Sequence, residues 1–277
     1  MNIEIIFLVF SLPFLFFASI FDLKKREVPD YVSYSFIIGA LGISLLYSIY
    51  TAFTFFLYAL LGAGFLFYLG YFLYRAKQMG GADVKLIKAL GAVFANSMFM
   101  GIPLILFFLL ALTLLGSVYT FIWGSVLYLK SFHTANKKAK EVLAEKKSMR
   151  LALLLLAFFG LIIIFMIQSK EIQILIGFFI LFIILSFYLT VFIHIIEGLH
   201  FLKKIRVEEL TEGDWLAKDV KINNHLICSA KHPCLDKKQI DQLKKARVEQ
   251  VTIKIGIPFV PAIFCATLAT FILLFFF

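Results

Sequence analysis

Long apolar segments recur along this chain and constrain its fold more than any other feature. A helix needs about 20 apolar residues to cross the hydrocarbon core of a bilayer. Seven segments approach or exceed this length, and an eighth, at 84–99, is weaker because Lys85 and Lys88 lie near its start. The seven are 3–21, 31–50, 52–74, 102–129, 151–167, 172–196 and 255–277. We therefore predict an all-α polytopic membrane protein with about eight spans.

The composition excludes the other broad classes of protein. Hydrophobic residues make up 62% of the 277 residues and charged residues 16%, whereas a soluble domain usually has about 45–50% apolar and about 25% charged residues. The 34 phenylalanines exceed what a water-exposed surface can absorb. A soluble globular enzyme, a disordered chain and a disulfide-rich secreted module are therefore excluded.

The 27 Lys and Arg residues predict how the chain crosses the membrane. All of them except Lys170 lie in four segments, 24–26, 75–88, 130–150 and 203–254. Cytoplasmic loops carry an excess of Lys and Arg, and eight spans put all four segments on that side when both termini lie outside. Topology and contact with anionic membrane lipid thus explain the formal net charge of +10, and no nucleic acid partner is expected.

One stretch before the last span is polar enough to form a small soluble domain. Residues 197–254 contain two short β-branched runs, 220–222 and 251–253, and a helical pattern that Asp236 can cap. We predict a small cytoplasmic α+β segment there. The predicted division is a membrane helical domain at 1–196, the soluble segment at 197–254 and a C-terminal transmembrane helix at 255–277.

A cluster of Cys and His residues in the soluble segment raises the question of a metal site. It consists of His225, Cys228, His232 and Cys234. Zinc uses such ligands, but their spacing matches none of its common patterns. Structural positions in a small domain explain the cluster better, so we predict neither a metal nor a cofactor.

Two acidic residues at the ends of predicted spans are the candidates for chemistry. Asp22 ends the first span and Asp83 opens the fourth, with two spans between them. An outward and a return crossing bring the chain back to the side it left, so both acids belong at the cytoplasmic membrane boundary. Two adjacent carboxylates can share a proton, one acting as base and the other as acid toward a water. The alternative is a pair of solvated loop acids that balance nearby lysines.

Gly80 and Gly81 precede Asp83 almost directly and add a second signal. A backbone without side chains lets another chain approach it closely, and an extended substrate could hydrogen-bond to such a segment. With Ala82, these residues are the candidate substrate-binding positions. Two glycines before a helix also occur as a simple turn.

Taken together, these motifs resemble those of the type IV prepilin and archaeal preflagellin peptidases, which are membrane aspartic proteases marked by a Gly-x-Gly-Asp motif. The matching strings are Asp22-x-x-x-Arg26-x-Val28-Pro29-Asp30, Gly80-Gly81-Ala82-Asp83-Val84-Lys85 and Gly256-Ile257-Pro258-Phe259-Val260-Pro261. The resemblance covers the N-terminal half in order and spacing, and it implies that Asp22 and Asp83 are the catalytic pair. Ala82 stands where the family usually has Gly. The paired Cys-x-x-Cys zinc element of the bifunctional bacterial enzymes, which also N-methylate the new amino terminus, is absent from the sequence.

The resemblance implies an aspartic endopeptidase that removes short basic leader peptides from prepilin- or preflagellin-like precursor proteins. No cofactor is implied, because the acid pair itself activates water. One alternative is a presenilin-like intramembrane protease, which shares the Gly-x-Gly-Asp element but holds both acids within spans. Another is a membrane transporter, although no predicted span carries the charges expected along a transport pathway. The particular precursor and the oligomeric state are open at this stage.

Overall fold

The computed structural model describes residues 3–222, 225–229, 234–246 and 248–276. This part of the chain contains ten α-helices, six of which are long and apolar enough to cross a membrane. The six are α1 (Ile3–Lys25), α2 (Asp30–Tyr50), α3 (Phe53–Arg75), α5 (Leu104–Lys130), α7 (Lys147–Met166) and α8 (Lys170–Ile196). The other four are α4 (Gly81–Phe94), α6 (Phe132–Glu145), α9 (Lys237–Lys245) and α10 (Val260–Phe276). The predicted polytopic all-α fold is confirmed.

Each of the eight predicted spans contains a helix, but the helices do not keep the predicted bounds, and two of them, α4 and α10, are shorter than predicted. Helix α4 begins and ends earlier than the predicted span at 84–99, and its 14 residues extend over only about 21 Å. Helix α10 begins at Val260 and not at residue 255, because residues 255–259 form no regular secondary structure.

A short hairpin separates α4 from α5. Strands β1 (Met98–Phe99) and β2 (Ile102–Pro103) pair antiparallel across a two-residue turn. Both turn residues, Met100 and Gly101, have positive φ, 51° and 78°, which is the conformation of the tight hairpin turns that match strand twist. The predicted break between the two spans is therefore a β-hairpin, which reverses the direction of the chain.

Close helix packing holds α4 in place. A Cβ atom at either Gly62 of α3 or Gly91 of α4 would collide with the carbonyl oxygen of the other glycine, and small residues permit this close approach of membrane helices. At the end of α4, the buried ring of Phe94 lies with its centroid 5.2 Å from those of both Phe108 in α5 and Phe271 in α10. Helix α4 is thus fixed by its neighbours along its whole length.

The soluble segment forms the predicted α+β fold. Its strands are β3 (Leu202–Arg206), β4 (Trp215–Leu216), β5 (Val220–Ile222), β6 (His225–Cys228) and β7 (Gln250–Lys254). Three of them form a sheet in the order β3-β7-β4, and β5 pairs with β6. The predicted cap is confirmed, since Oδ1 of Asp236 accepts a hydrogen bond from the N–H of Gln239 at 2.7 Å.

The chain divides into two compact units, Met1–Trp123 with Lys203–Phe277, and Gly124–Leu202. The second unit contains α6, a basic helix that buries Ala135 and Val142 against α8. Helix α6 was not predicted, because its lysines were assigned to a cytoplasmic loop. Its few apolar residues nevertheless recur at helical spacing.

Candidate active site

Asp22 lies in the last turn of α1, where it is only 7% exposed. The backbone N–H of Val260 donates a hydrogen bond to Oδ2 of Asp22 at 2.9 Å, and the backbone N–H of Phe259 also bonds to this carboxylate. Both N–H groups stand at the start of α10, where a helix leaves its donors unpaired and favours a negatively charged acceptor. The last helix of the chain therefore orients an acid of the first.

Asp83 lies in the first turn of α4 and is 8% exposed. Its Oδ2 accepts a hydrogen bond from the N–H of Gly80 at 3.0 Å, so the backbone just before the helix fixes the direction of the side chain. Asp83 is within electrostatic range of Asp22. The fold thus brings together the two acids that the sequence singled out.

Burial distinguishes these two acids from every other charged group in the described part of the chain. Asp22 and Asp83 are the charged side chains among the described residues that the fold buries. Removing a carboxylate from water is costly unless its oxygens are hydrogen-bonded, and each acid here receives backbone donors. Solvated loop acids are not buried in this way.

An ion pair joins the two motif segments that carry these acids. The ammonium group of Lys85 in α4 forms an ion pair with Asp30 at the start of α2, and it lies 4.8 Å from the centroid of the Tyr34 ring. Both partners of the ion pair are partly exposed, which places this contact at the edge of the bundle. The first two motifs are therefore joined by this ion pair in addition to the proximity of Asp22 and Asp83.

Arg26 links the first motif to the third. It follows α1 in the left-handed conformation, with φ of 58°, and Nη1 donates to the carbonyl oxygen of Gly256 at 3.5 Å. Its positive charge also acts on Asp22. All three motif segments thus converge on the end of α1.

The predicted substrate-binding residues differ in how accessible they are to another chain. The N–H of Gly80 bonds to Asp83, and Ala82 is half-buried against the helical core. Gly81 is exposed, with its nearest neighbour, the ring of Tyr74, 3.7 Å from where a Cβ would stand. Of the three, Gly81 is the position that another chain can reach.

The cysteines of the soluble segment have structural surroundings. His232 and the side chain of His225 lie outside the described part of the structure. Burial, and then the nearby Asp236 carboxylate, raise the pKa of the Cys228 thiol, which disfavours the thiolate that binds metals. The sulfur of Cys234 accepts a hydrogen bond from the Tyr74 hydroxyl at 2.9 Å. The described residues contain no group of three or more His, Cys, Asp or Glu side chains able to hold a metal.

The role of Phe259 and Val260 could not be seen in the sequence, because it rests on backbone donors. The one available signal is that Pro258 and Pro261, which lack an N–H, flank the two residues that provide them. Helix α5 supports this region from behind, since a Cβ atom at Gly116 would lie 2.9 Å from the Phe259 ring.

The fold and the site define a polytopic helical membrane protein with a buried pair of carboxylates at the ends of two helices. Residues 9–122, which carry both acids, match the type IV leader peptidase family. This match confirms the family resemblance over that part of the chain.

The preflagellin peptidase of Methanocaldococcus jannaschii is 38% identical to this chain over 84 residues, which cover 28% of this chain and 34% of that protein. The chain thus matches about a third of the length of this curated relative. No solved structure matches it.

Proposed function

We propose that this protein is a membrane aspartic endopeptidase that removes basic leader peptides from prepilin- or preflagellin-like precursors. The observation that carries the proposal is the pairing of Asp22 and Asp83, both buried and within electrostatic range of each other. The family match over residues 9–122 supports the same activity.

The chemistry requires the two carboxylates to share one proton. The ionised carboxylate takes a proton from a water molecule as the water oxygen attacks the carbonyl carbon of the cleaved bond, and the protonated one donates to the carbonyl oxygen. A proton then passes to the leaving nitrogen as the peptide bond breaks. The backbone donors on Asp22 and Asp83 hold both groups in fixed directions for these transfers.

The positions of the acids favour this activity over the two alternatives. Asp22 stands at the end of α1 and Asp83 at the start of α4, not in the middle of spans as in an intramembrane protease of the presenilin type. A transporter needs polar groups along a pathway, whereas these two acids are grouped at one level of the bundle.

We further propose that the site faces the cytoplasm and that both termini lie outside. This orientation rests on the excess of Lys and Arg in the four segments that eight crossings put inside. It puts the basic leader of a precursor beside the two acids while the hydrophobic helix that follows the leader stays in the bilayer. The soluble segment at 197–254 is then a cytoplasmic appendage.

Co-expression with leader-bearing prepilin and preflagellin precursors tests the proposal. Cleavage is measured as a mobility shift on a gel, and we expect Asp22→Asn and Asp83→Asn each to lower it by at least about 10²–10⁴-fold. Asp241→Asn, at an exposed acid of α9, is the matched control and should cleave like the wild type. Failure of the wild type to cleave any precursor, or near wild-type cleavage by either site variant, contradicts the proposal.

A further inference from the structure

Two hydrogen-bond donors in α5 are buried without a partner among the described residues. They are the hydroxyl of Tyr119 and the indole N–H of Trp123. Residues four apart share one face of a helix, and these two rings stack with their centroids 6.0 Å apart. A buried donor that lacks an acceptor is costly, above all in a bilayer that offers no water.

This face of α5 lies beside the candidate active site. The Tyr119 hydroxyl is within electrostatic range of the Asp22 carboxylate and of the Cys265 thiol in α10. One turn earlier, Gly116 approaches the ring of Phe259, whose backbone N–H bonds to Asp22. Tyr119 therefore lies beside Asp22, and Trp123 follows one helical turn further along the same face of α5.

We propose that Tyr119 and Trp123 bind the backbone of the precursor beside Asp22, each donating a hydrogen bond to a carbonyl oxygen near the cleaved bond. This inference rests on the proposed leader peptidase function and deepens it. The indole N–H can only donate, so its partner has to be an acceptor, and peptide carbonyls are the acceptors that any substrate brings.

The spacing of the two rings suits an extended peptide. Carbonyl groups that point the same way along an extended chain recur every second residue, about 6.6 Å apart. This repeat is close to the rise of about 6 Å along the axis between residues four apart in an α-helix, as Tyr119 and Trp123 are. Tyr119 and Trp123 are thus substrate-binding residues that recognise main chain, and they leave precursor specificity to other groups.

Cleavage by conservative variants gives the first test. Tyr119→Phe and Trp123→Phe keep an aromatic ring and remove the donor, and Tyr68→Phe, at an exposed tyrosine of α3, is the matched control. We expect kcat/KM for a leader-bearing precursor to fall about 2- to 12-fold for each site variant, the size of one hydrogen bond. Thermal stability should be unchanged or higher for Tyr119→Phe, which removes an unpaired buried donor and almost no volume. A merely structural role would lower kcat/KM of Tyr119→Phe only together with its thermal stability.

Binding gives a second readout that does not depend on cleavage. The chain has two tryptophans, so Trp215→Phe leaves Trp123 as the one indole, and Asp83→Asn keeps a bound precursor uncut. Titration with a leader-bearing precursor in phosphatidylcholine vesicles should shift the Trp123 emission to saturation. Adding Tyr119→Phe should raise Kd about 2- to 12-fold.

Three results would overturn the inference. A precursor that binds and is cut without changing the Trp123 emission, and with site variants equal to the Tyr68→Phe control, rejects the inference and leaves the proposed function intact. An emission that responds to phosphatidylglycerol in place of phosphatidylcholine, and not to precursor, assigns the donors to lipid. A wild type that neither binds nor cuts any leader-bearing precursor rejects the proposed function together with the inference.

Discussion

Two sets of long apolar helices differ in how much of their surface the protein buries. In α1 and α2, 33% and 39% of the apolar window is buried within the protein, against 6% and 11% in α7 and α8. Mean hydropathy follows the opposite order. It is 1.8 in α2, which the protein buries most, and 2.8 in α8, which it buries much less. The most apolar helices are therefore the ones that the protein itself covers least.

The difference follows from what a bilayer offers as a solvent. Lipid is as good a partner for Leu or Phe as another helix is, so membrane helices associate through small residues, close packing and hydrogen bonds. Helices α1 to α4 supply these, with the Gly62–Gly91 contact and two buried acids. High hydropathy therefore identifies the spans, whereas small and acidic residues within apolar helices or at their ends identify the helices that pack together and form a site.

The largest expected effect comes from truncating the same residue type in each set. Phe94→Ala opens a cavity between α4, α5 and α10, where the ring is fully buried, and we expect a loss of about 3–5 kcal/mol in the free energy of unfolding. Phe178→Ala in α8 removes a ring that is 67% exposed and should cost far less. Thermal unfolding in detergent measures both, and equal losses would remove the distinction between the two sets.

A smaller effect, on activity, is expected where α5 packs against the segment whose backbone N–H groups donate to Asp22. Gly116→Ala puts a Cβ atom 2.9 Å from the Phe259 ring, so the ring has to move, and we expect this movement to reach the backbone that holds the acid. A displacement of about 1 Å at a site can cost about 10²-fold in rate, so kcat/KM should fall about 10- to 100-fold with thermal stability nearly kept.

The control for Gly116 is Gly64→Ala in α3, where nothing lies within 4 Å of the added Cβ. This variant should cleave like the wild type. A Gly116→Ala enzyme with the turnover of the Gly64→Ala enzyme would mean that the position of Phe259 does not matter for the acid.

The smallest effect is expected at the edge of the packed set. Lys85→Met removes the ion pair with Asp30, whose side chains are 30% and 71% exposed, and such pairs contribute about 0–1 kcal/mol. Because salt screens exposed pairs, the difference in unfolding free energy between wild type and variant should shrink at high ionic strength. A large, salt-independent loss would assign Lys85 to the packed core.

The sequence predicted the spans and the candidate acids because both depend on local signals. Apolar length marks the helices, and two intervening crossings put Asp22 and Asp83 on one side. The hairpin at Met100 was not predicted, because a residue other than glycine at positive φ carries no compositional mark. The donors of Val260 and Phe259 are backbone groups that reach Asp22 across most of the chain, and no pattern along the sequence encodes such a contact.

A double-mutant cycle on kcat/KM for a leader-bearing precursor tests most directly whether Asp22 and Asp83 work as one unit. Groups that act together show strongly non-additive losses. We predict that Asp22→Asn, Asp83→Asn and the double variant lose activity to about the same extent. Losses that multiply in the double variant, or a single variant that retains near wild-type activity, would contradict a shared proton between the two acids.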